Sequence, residues 1–288
     1  MTSRERLLTA FNLGIPDKVP VAPRLDTRWL RNAGPALAAE IIERTDIVVH
    51  VDLLPDYAHY FGEEARRRCM TRTEDQRRYE EIETPRGTLR RVLQLEPAMM
   101  DWAREHFFKS PDDVEKALSI PFTLPAIDFS EYYEWVRRVG DNGLVVAHIP
   151  DALCCPGLWF SPDDFAINAC ALRTDLVKEL LAKVSRNTLA ITQACMEQGV
   201  RHIMISGAEL TSQTLMGPQW FSQLVAPYDG PQIALVRQHG GTVWYHCHGK
   251  IRLIHREIAA IRPHVLTPCE KPPQGDIELW EMKESIGD

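Results

Sequence analysis

The run His246-Cys247-His248-Gly249 is the sharpest chemical signal in this sequence. At the end of a strand, residues i and i+2 point to one face, so His246 and His248 share a face and Cys247 takes the other. Two imidazoles on one face are a starting pair of zinc ligands, and Gly249 leaves room for a ligand to approach. A third ligand is needed, and Glu209, Cys269 and Glu270 each fall at or near the end of another strand-like run. The plainer account is a pair of hydrogen-bonded histidines on a polar rim. His50 and Asp52 also share one face of a strand, where a carboxylate holds a cationic or N–H-bearing group or simply caps and pairs. Arg24 and Arg28 have i, i+4 spacing, which lets two guanidinium forks on one helical turn meet substrate carboxylates; a solvated helix start has the same spacing. Cys154-Cys155 lacks a chelate spacing and reads as two small buried residues. The segment from Glu63 to Arg78, dense in both charge signs, reads as a solvated helical face.

Strands must carry these groups to one place. Short runs rich in β-branched residues occur at Val19 to Ala22, Ile47 to Leu54, Leu144 to His148, His202 to Ser206, Thr242 to His246 and His264 to Thr267. They are nearly continuously apolar, as strands covered on both faces should be. Helices lie between them: one keeps its stripe from Leu176 to Met196 and stops at Gly199, and another opens at Pro218 and ends at Gly240-Gly241. The alternation is βαβα, hence a parallel sheet, open or closed. No G-x-G-x-x-G follows the first strand and no G-x-x-x-x-G-K-[ST] occurs, so the nucleotide signals of open sheets are missing. Arg24, Asp52, His148, Glu209, His246 and His248 instead gather at the carboxyl ends of several strands, as around the mouth of a (β/α)8 TIM-type barrel. From Tyr79 to Leu95 the rhythm breaks around Thr84-Pro85-Arg86-Gly87, which predicts a β-hairpin excursion.

The 288 residues fit one such barrel, with 44% hydrophobic residues to fill its core and no linker that would mark a second domain. A net charge of −7, with both signs mixed along the chain, gives no footprint for nucleic acid. Seven irregularly spaced cysteines (Cys69, Cys154, Cys155, Cys170, Cys195, Cys247, Cys269) read as reduced thiols of a cytoplasmic protein. Thr2 and Glu5 have capping-box spacing, so the N-terminus reads as a capped helix and not a signal peptide. No window approaches the roughly 20 apolar residues of a membrane span.

Further segments carry a resemblance. They are Arg4-Glu5-Arg6-Leu7-Leu8 through Ile15-Pro16-Asp17-Lys18-Val19-Pro20, then Thr84-Pro85-Arg86-Gly87-Thr88-Leu89 and Lys109-Ser110-Pro111-Asp112-Asp113, and finally Gly217-Pro218-Gln219-Trp220-Phe221 and Ala226-Pro227-Tyr228. In this order, over nearly the whole chain, they resemble the uroporphyrinogen decarboxylase superfamily, which also contains zinc-dependent cobamide methyltransferases. The resemblance implies a (β/α)8 barrel. It splits on mechanism. Arg24 and Arg28 keep the decarboxylases' Arg-x-x-x-Arg spacing and Asp52 matches their cleft aspartate, which holds pyrrole N–H groups; but Pro150 to Phe160 lacks their tyrosine. His246-Cys247-His248-Gly249 takes the place of the methyltransferases' His-x-Cys-Gly zinc motif, with histidine for cysteine.

The resemblance therefore implies zinc on His246 and His248, activating a thiol acceptor for a methyl group brought on a corrinoid, itself carried by a partner protein. In that reading Asp52 and Glu209 are catalytic, while Arg24, Arg28 and His148 bind substrate. The alternatives are cofactor-free decarboxylation of a polycarboxylated tetrapyrrole, gripped by the arginines, and a non-catalytic corrinoid- or tetrapyrrole-binding remnant. Six barrel strands are legible before Glu270, and the family's last two would lie beyond Asp288. The expectation is a C-terminally truncated barrel: either a fragment, or a chain whose open edge a partner, such as a second copy, covers.

Overall fold

The computed structural model of the chain describes residues 1–96, 101–212 and 216–287, with the backbone alone at Cys170. In chain order its strands are β1 (Arg24–Asp26), β2 (Ile47–Asp52), β3 (Cys69–Glu74), β4 (Arg77–Thr84), β5 (Gly87–Gln94), β6 (Trp102–Glu105), β7 (Gly143–His148), β8 (His202–Ser206), β9 (Thr242–His246) and β10 (Val265–Thr267). Six of them form one parallel sheet in the order β1-β2-β7-β8-β9-β10, curled as part of a barrel wall. Sequential order with a helical crossover at each step is the α/β-barrel plan.

Alternation along each strand sorts the side chains into two layers. Facing the helices, Ile47, Val49, Val51, Val145, Ala147, Ile203, Ile205, Val243 and Tyr245 join the main core. Facing the barrel interior, Val48, Leu144, Val146, Met204 and Trp244 form a second cluster with Leu7 and Phe11. Those last two come from the N-terminal helix Ser3–Phe11, which has the expected capping box between Thr2 and Glu5, and Phe11 meets Trp244 edge to face at 5.5 Å. The interior thus has an apolar floor, and the next inward position on each strand lies above it, at the mouth.

Four expectations need correction. The first strand is Arg24–Asp26, not Val19 to Ala22. Pro20 and Pro23 supply no N–H to a ladder, so regular pairing starts only beyond the second proline, and Val19 is 83% exposed. The helix read from Pro218 to Gly240 is two, Gln219–Leu224 and Ala226–Gln238, broken at Val225 just ahead of Pro227. The excursion is larger than a hairpin: β3, β4, β5 and β6 make a four-stranded antiparallel sheet. Accordingly, the charged run from Glu63 is helical only to Arg68 and then becomes β3. Asp75 and Gln76 turn that strand into β4 with φ of 48° and 59°, a left-handed pair that aspartate tolerates.

Of the seven cysteines, the side chain of Cys170 lies outside the described residues and the other six are free; Cys154 and Cys155 are buried, as read from the sequence. Among the described residues, no helix is long and apolar enough to cross a membrane.

Candidate functional site

The strands deliver their last inward residues to one mouth. Along β2, Val48 lies in the floor and His50 and Asp52 follow at two-residue steps. Val146 is followed in the same way by His148 on β7, Met204 by Ser206 on β8, and Trp244 by His246 at the end of β9. Register completes the arrangement: Asp52 pairs with His148, and Ser206 with His246.

Asp52 is the hub. Its Oδ1 lies 3.2 Å from His50 Nε2 and 2.8 Å from His148 Nδ1, and His148 Nε2 lies 2.7 Å from Ser206 Oγ. The two imidazoles meet edge to face at 4.9 Å. The Asp52 side chain is 62% exposed at the carboxyl end of β2. Burial opposes its ionisation, but the hydrogen bonds from His148 and His50 outweigh that and hold the carboxyl well below the usual carboxylate range. His148 is held below the ordinary histidine value, by burial first and in spite of Asp52.

His246 and His248 lie side by side as the spacing implied, ring centroids 4.4 Å apart and perpendicular. His246 is nearly enclosed, and its Nδ1 is buried without a hydrogen-bond partner. Burial, then the positive charge of Arg24, push its pKa down to about 3, so it is a neutral donor at ordinary pH. His248 is half exposed and lies 3.5 Å from Glu270 Oε2, which also accepts the Gly249 N–H at 2.8 Å. Glu209, in the turn after β8, has a buried Oε2 with no partner, and burial lifts its carboxyl above the usual range while the nearby His248 charge opposes this. Cys269 is partly buried, its thiol 3.9 Å from the Leu266 carbonyl. Among the described residues, none of these third-ligand candidates converges with the histidine pair into a set whose ligand atoms all lie within 4.8 Å; only His50, Asp52 and His148 do so.

The arginines part company. Arg24 lies in β1, and its Nη1 reaches the Met204 sulfur at 3.1 Å inside the barrel. Arg28 is exposed on the helix Thr27–Asn32 that follows. They do not share a helical turn, because Asp26 caps that helix by accepting the Trp29 N–H at 2.7 Å and so separates strand from helix between them.

Sequence reading missed two features. One is Ser206, a residue too common to stand out until register places it against His148. The other is a buried carboxyl pair on the helix side of β9, Asp151 and Asp229. Tyr245 donates its hydroxyl hydrogen to Asp229 Oδ2 at 2.6 Å, and Asp151 Oδ1 accepts the Cys154 N–H at 2.8 Å. Burial pushes Asp229 up to about 7 against the Tyr245 hydrogen bond. Burial, then the Asp229 charge, raise Asp151 well above its usual value. A carboxyl raised in the folded state contributes stability that is full below the unfolded carboxylate pKa and lost as pH rises through the folded one. The Asp229→Asn variant keeps an acceptor for Tyr245 and has nothing to ionise. Its stability relative to the parent should therefore improve by about 2 to 4 kcal/mol between pH 4 and pH 8. Urea unfolding at the two pH values measures this, and a constant difference would show that Asp229 does not titrate there.

The uroporphyrinogen decarboxylase (URO-D) family profile matches residues 165–270. Among solved structures, a methyltransferase from Methanosarcina mazei is similar, with a TM-score of 0.58 at 16% sequence identity over 92% of this chain and 75% of that one. No curated protein sequence matches.

Proposed function

We propose that this chain, whose residues 165–270 match the uroporphyrinogen decarboxylase family profile, is a methyltransferase that presents a thiol, or a similar acceptor, to a methyl group carried on a corrinoid by a partner protein. The observation that carries this reading is the buried, unpartnered Nδ1 of His246 beside the ring of His248. A buried polar atom without a partner is costly and calls for a ligand. The donor chemistry suits zinc: His246, neutral at ordinary pH, and His248 supply two imidazoles, and the remaining positions would be left to the acceptor, since Glu209 does not converge on the pair. Bound there, zinc would supply Lewis acidity that lowers the pKa of the acceptor thiol.

The chain's own residues do the rest. His246 offers its free nitrogen from an enclosed position, and His248 and the open mouth leave room for an acceptor. Glu209, held by burial closer to its protonated form than an ordinary carboxylate, takes up the proton that the acceptor releases. Arg24 and the Asp52–His148 pair orient the acceptor's polar end from the other side of the mouth. The thiol-rich composition suits a reducing cytoplasm.

A second reading, decarboxylation of a polycarboxylated tetrapyrrole, draws on one observation: Asp52 is held as a carboxylate at the mouth with Arg24 on the same interior. Methyl transfer from methylcobalamin to a small thiol, followed with uroporphyrinogen turnover, separates the two. His246→Ala and His248→Ala are expected to abolish methyl transfer, at least 100-fold, while far-UV circular dichroism stays unchanged. Uroporphyrinogen turnover that survives both substitutions, with no methyl transfer by the parent, would replace the first reading by the second.

A further inference from the structure

We propose that His50, Asp52 and His148 form a cation site of their own, separate from the His246–His248 pair, that takes a first-row divalent metal such as zinc. The three come from neighbouring strands, β2 and β7, and aim one ligand atom each at a common point: His50 Nε2, Asp52 Oδ1 and His148 Nδ1 all lie within 4.8 Å of one another. The separations from Asp52 Oδ1 are 3.2 and 2.8 Å. Donors held about 2.0 to 2.1 Å from a tetrahedral zinc lie about 3.3 Å apart, a spacing that both separations from Asp52 Oδ1 already approach. Two imidazoles and one carboxylate are a borderline donor set suited to zinc or iron(II), and they leave positions open to the mouth.

A second observation points the same way. A metal-bound histidine almost always uses its far ring nitrogen to hold a neighbour, which fixes the tautomer and the ring plane. The far nitrogen of His148, Nε2, lies 2.7 Å from Ser206 Oγ, on a rigid strand end. Asp52 and His148 are direct register partners, so the backbone ladder fixes two of the three ligands relative to each other before any ion binds. Arg24 faces the same interior, and its charge is felt at His148. An anionic oxygen ligand, such as a carboxylate, is therefore the class of molecule that would fill the open positions.

Zinc bound per chain, measured by equilibrium dialysis with zinc alone as the probe, tests the inference. The intact chain is expected to bind two zinc ions. Asp52→Asn and His50→Ala should each lose one, and the double variant His246→Ala/His248→Ala should keep one. Ser206→Ala is expected to weaken the retained site by about 10-fold or more, and Ser206→Thr to restore it. Cobalt(II) substituted into the double variant should give visible bands that Asp52→Asn removes. One zinc in the intact chain, lost in His50→Ala but not in the His246/His248 double variant, supports this site and overturns the pair as a metal centre. Equal zinc in the intact chain, His50→Ala and Asp52→Asn, all with unchanged circular dichroism, overturns the site proposed here.

Discussion

Replacing Gly207 by alanine is expected to destabilise the protein by about 4 kcal/mol or more, close to the whole stability of many domains. Gly207 follows Ser206 at the end of β8 with φ of +138°, where an L side chain is strained. A Cβ there would lie 2.1 Å from Asp151 Oδ1 and 2.5 Å from Cys154 Sγ. Neither can step aside: Asp151 is fully buried and holds the Cys154 N–H, and the Cys154 thiol donates to the Ser206 carbonyl at 3.1 Å. Overpacking and backbone strain therefore add. The displaced backbone would also carry Ser206 away from His148, so the mouth loses its geometry along with the core. Gly240→Ala is the control, since Gly240 also has positive φ (+68°) but nothing lies within 4 Å of the added carbon; it should cost only about 1 kcal/mol. Urea unfolding compares them, and similar midpoints for the two variants would remove the steric argument.

What was legible in the sequence follows a simple physical division. Period-two alternation is local, so the shared faces of His50 with Asp52 and of His246 with His248 could be read from spacing, and five of the six parallel strands fall on the expected runs. Arg24 and Arg28 were misplaced because i, i+4 spacing means proximity only within a helix, and the prolines had pushed the strand onto Arg24. Ser206 depends on register between strands far apart in sequence, which no local pattern encodes. Asp229 has the same difficulty: at the start of a helix it resembles an ordinary first-turn acid, and only the docking of Ala226–Gln238 against Tyr245 buries it. The excursion was underestimated because Asp75-Gln76 is a weaker turn signal than the Thr84-Pro85-Arg86-Gly87 that joins β4 to β5.

The adjacent residues Arg90 and Arg91 look alike in sequence, and their substitution by methionine should give very different results. Alternation in β5 sends Arg90 to solvent, where it pairs with Glu81 at 3.1 Å and is 63% exposed. Arg91 points inward at 12% exposure, donating to Asp56 at 2.7 and 3.0 Å and to its cross-strand partner Glu80 at 2.6 Å. Its guanidinium also lies 4.6 Å over the Phe107 ring, and the Trp159 indole N–H reaches Asp56 at 3.1 Å. This one side chain ties the antiparallel sheet to the helix that begins at Asp56, four residues beyond Asp52. Arg91→Met leaves the Asp56 carboxylate without its cation, while Glu80 keeps Arg78 at 2.9 Å, a loss of about 3 kcal/mol, whereas Arg90→Met should change stability by no more than about 1 kcal/mol. The pH dependence has a definite sign. Burial opposes ionisation of Asp56 but the Arg91 charge outweighs it and lowers its pKa, so the pair's stabilisation is present above the unfolded carboxylate pKa and is lost as pH falls through the folded one. The deficit of Arg91→Met at pH 7 should therefore shrink at pH 3, where the stranded Asp56 carboxyl is protonated. Equal losses for the two arginine variants at pH 7, or a deficit that persists unchanged in acid, would mean that packing over Phe107 and not charge holds the antiparallel sheet to that helix.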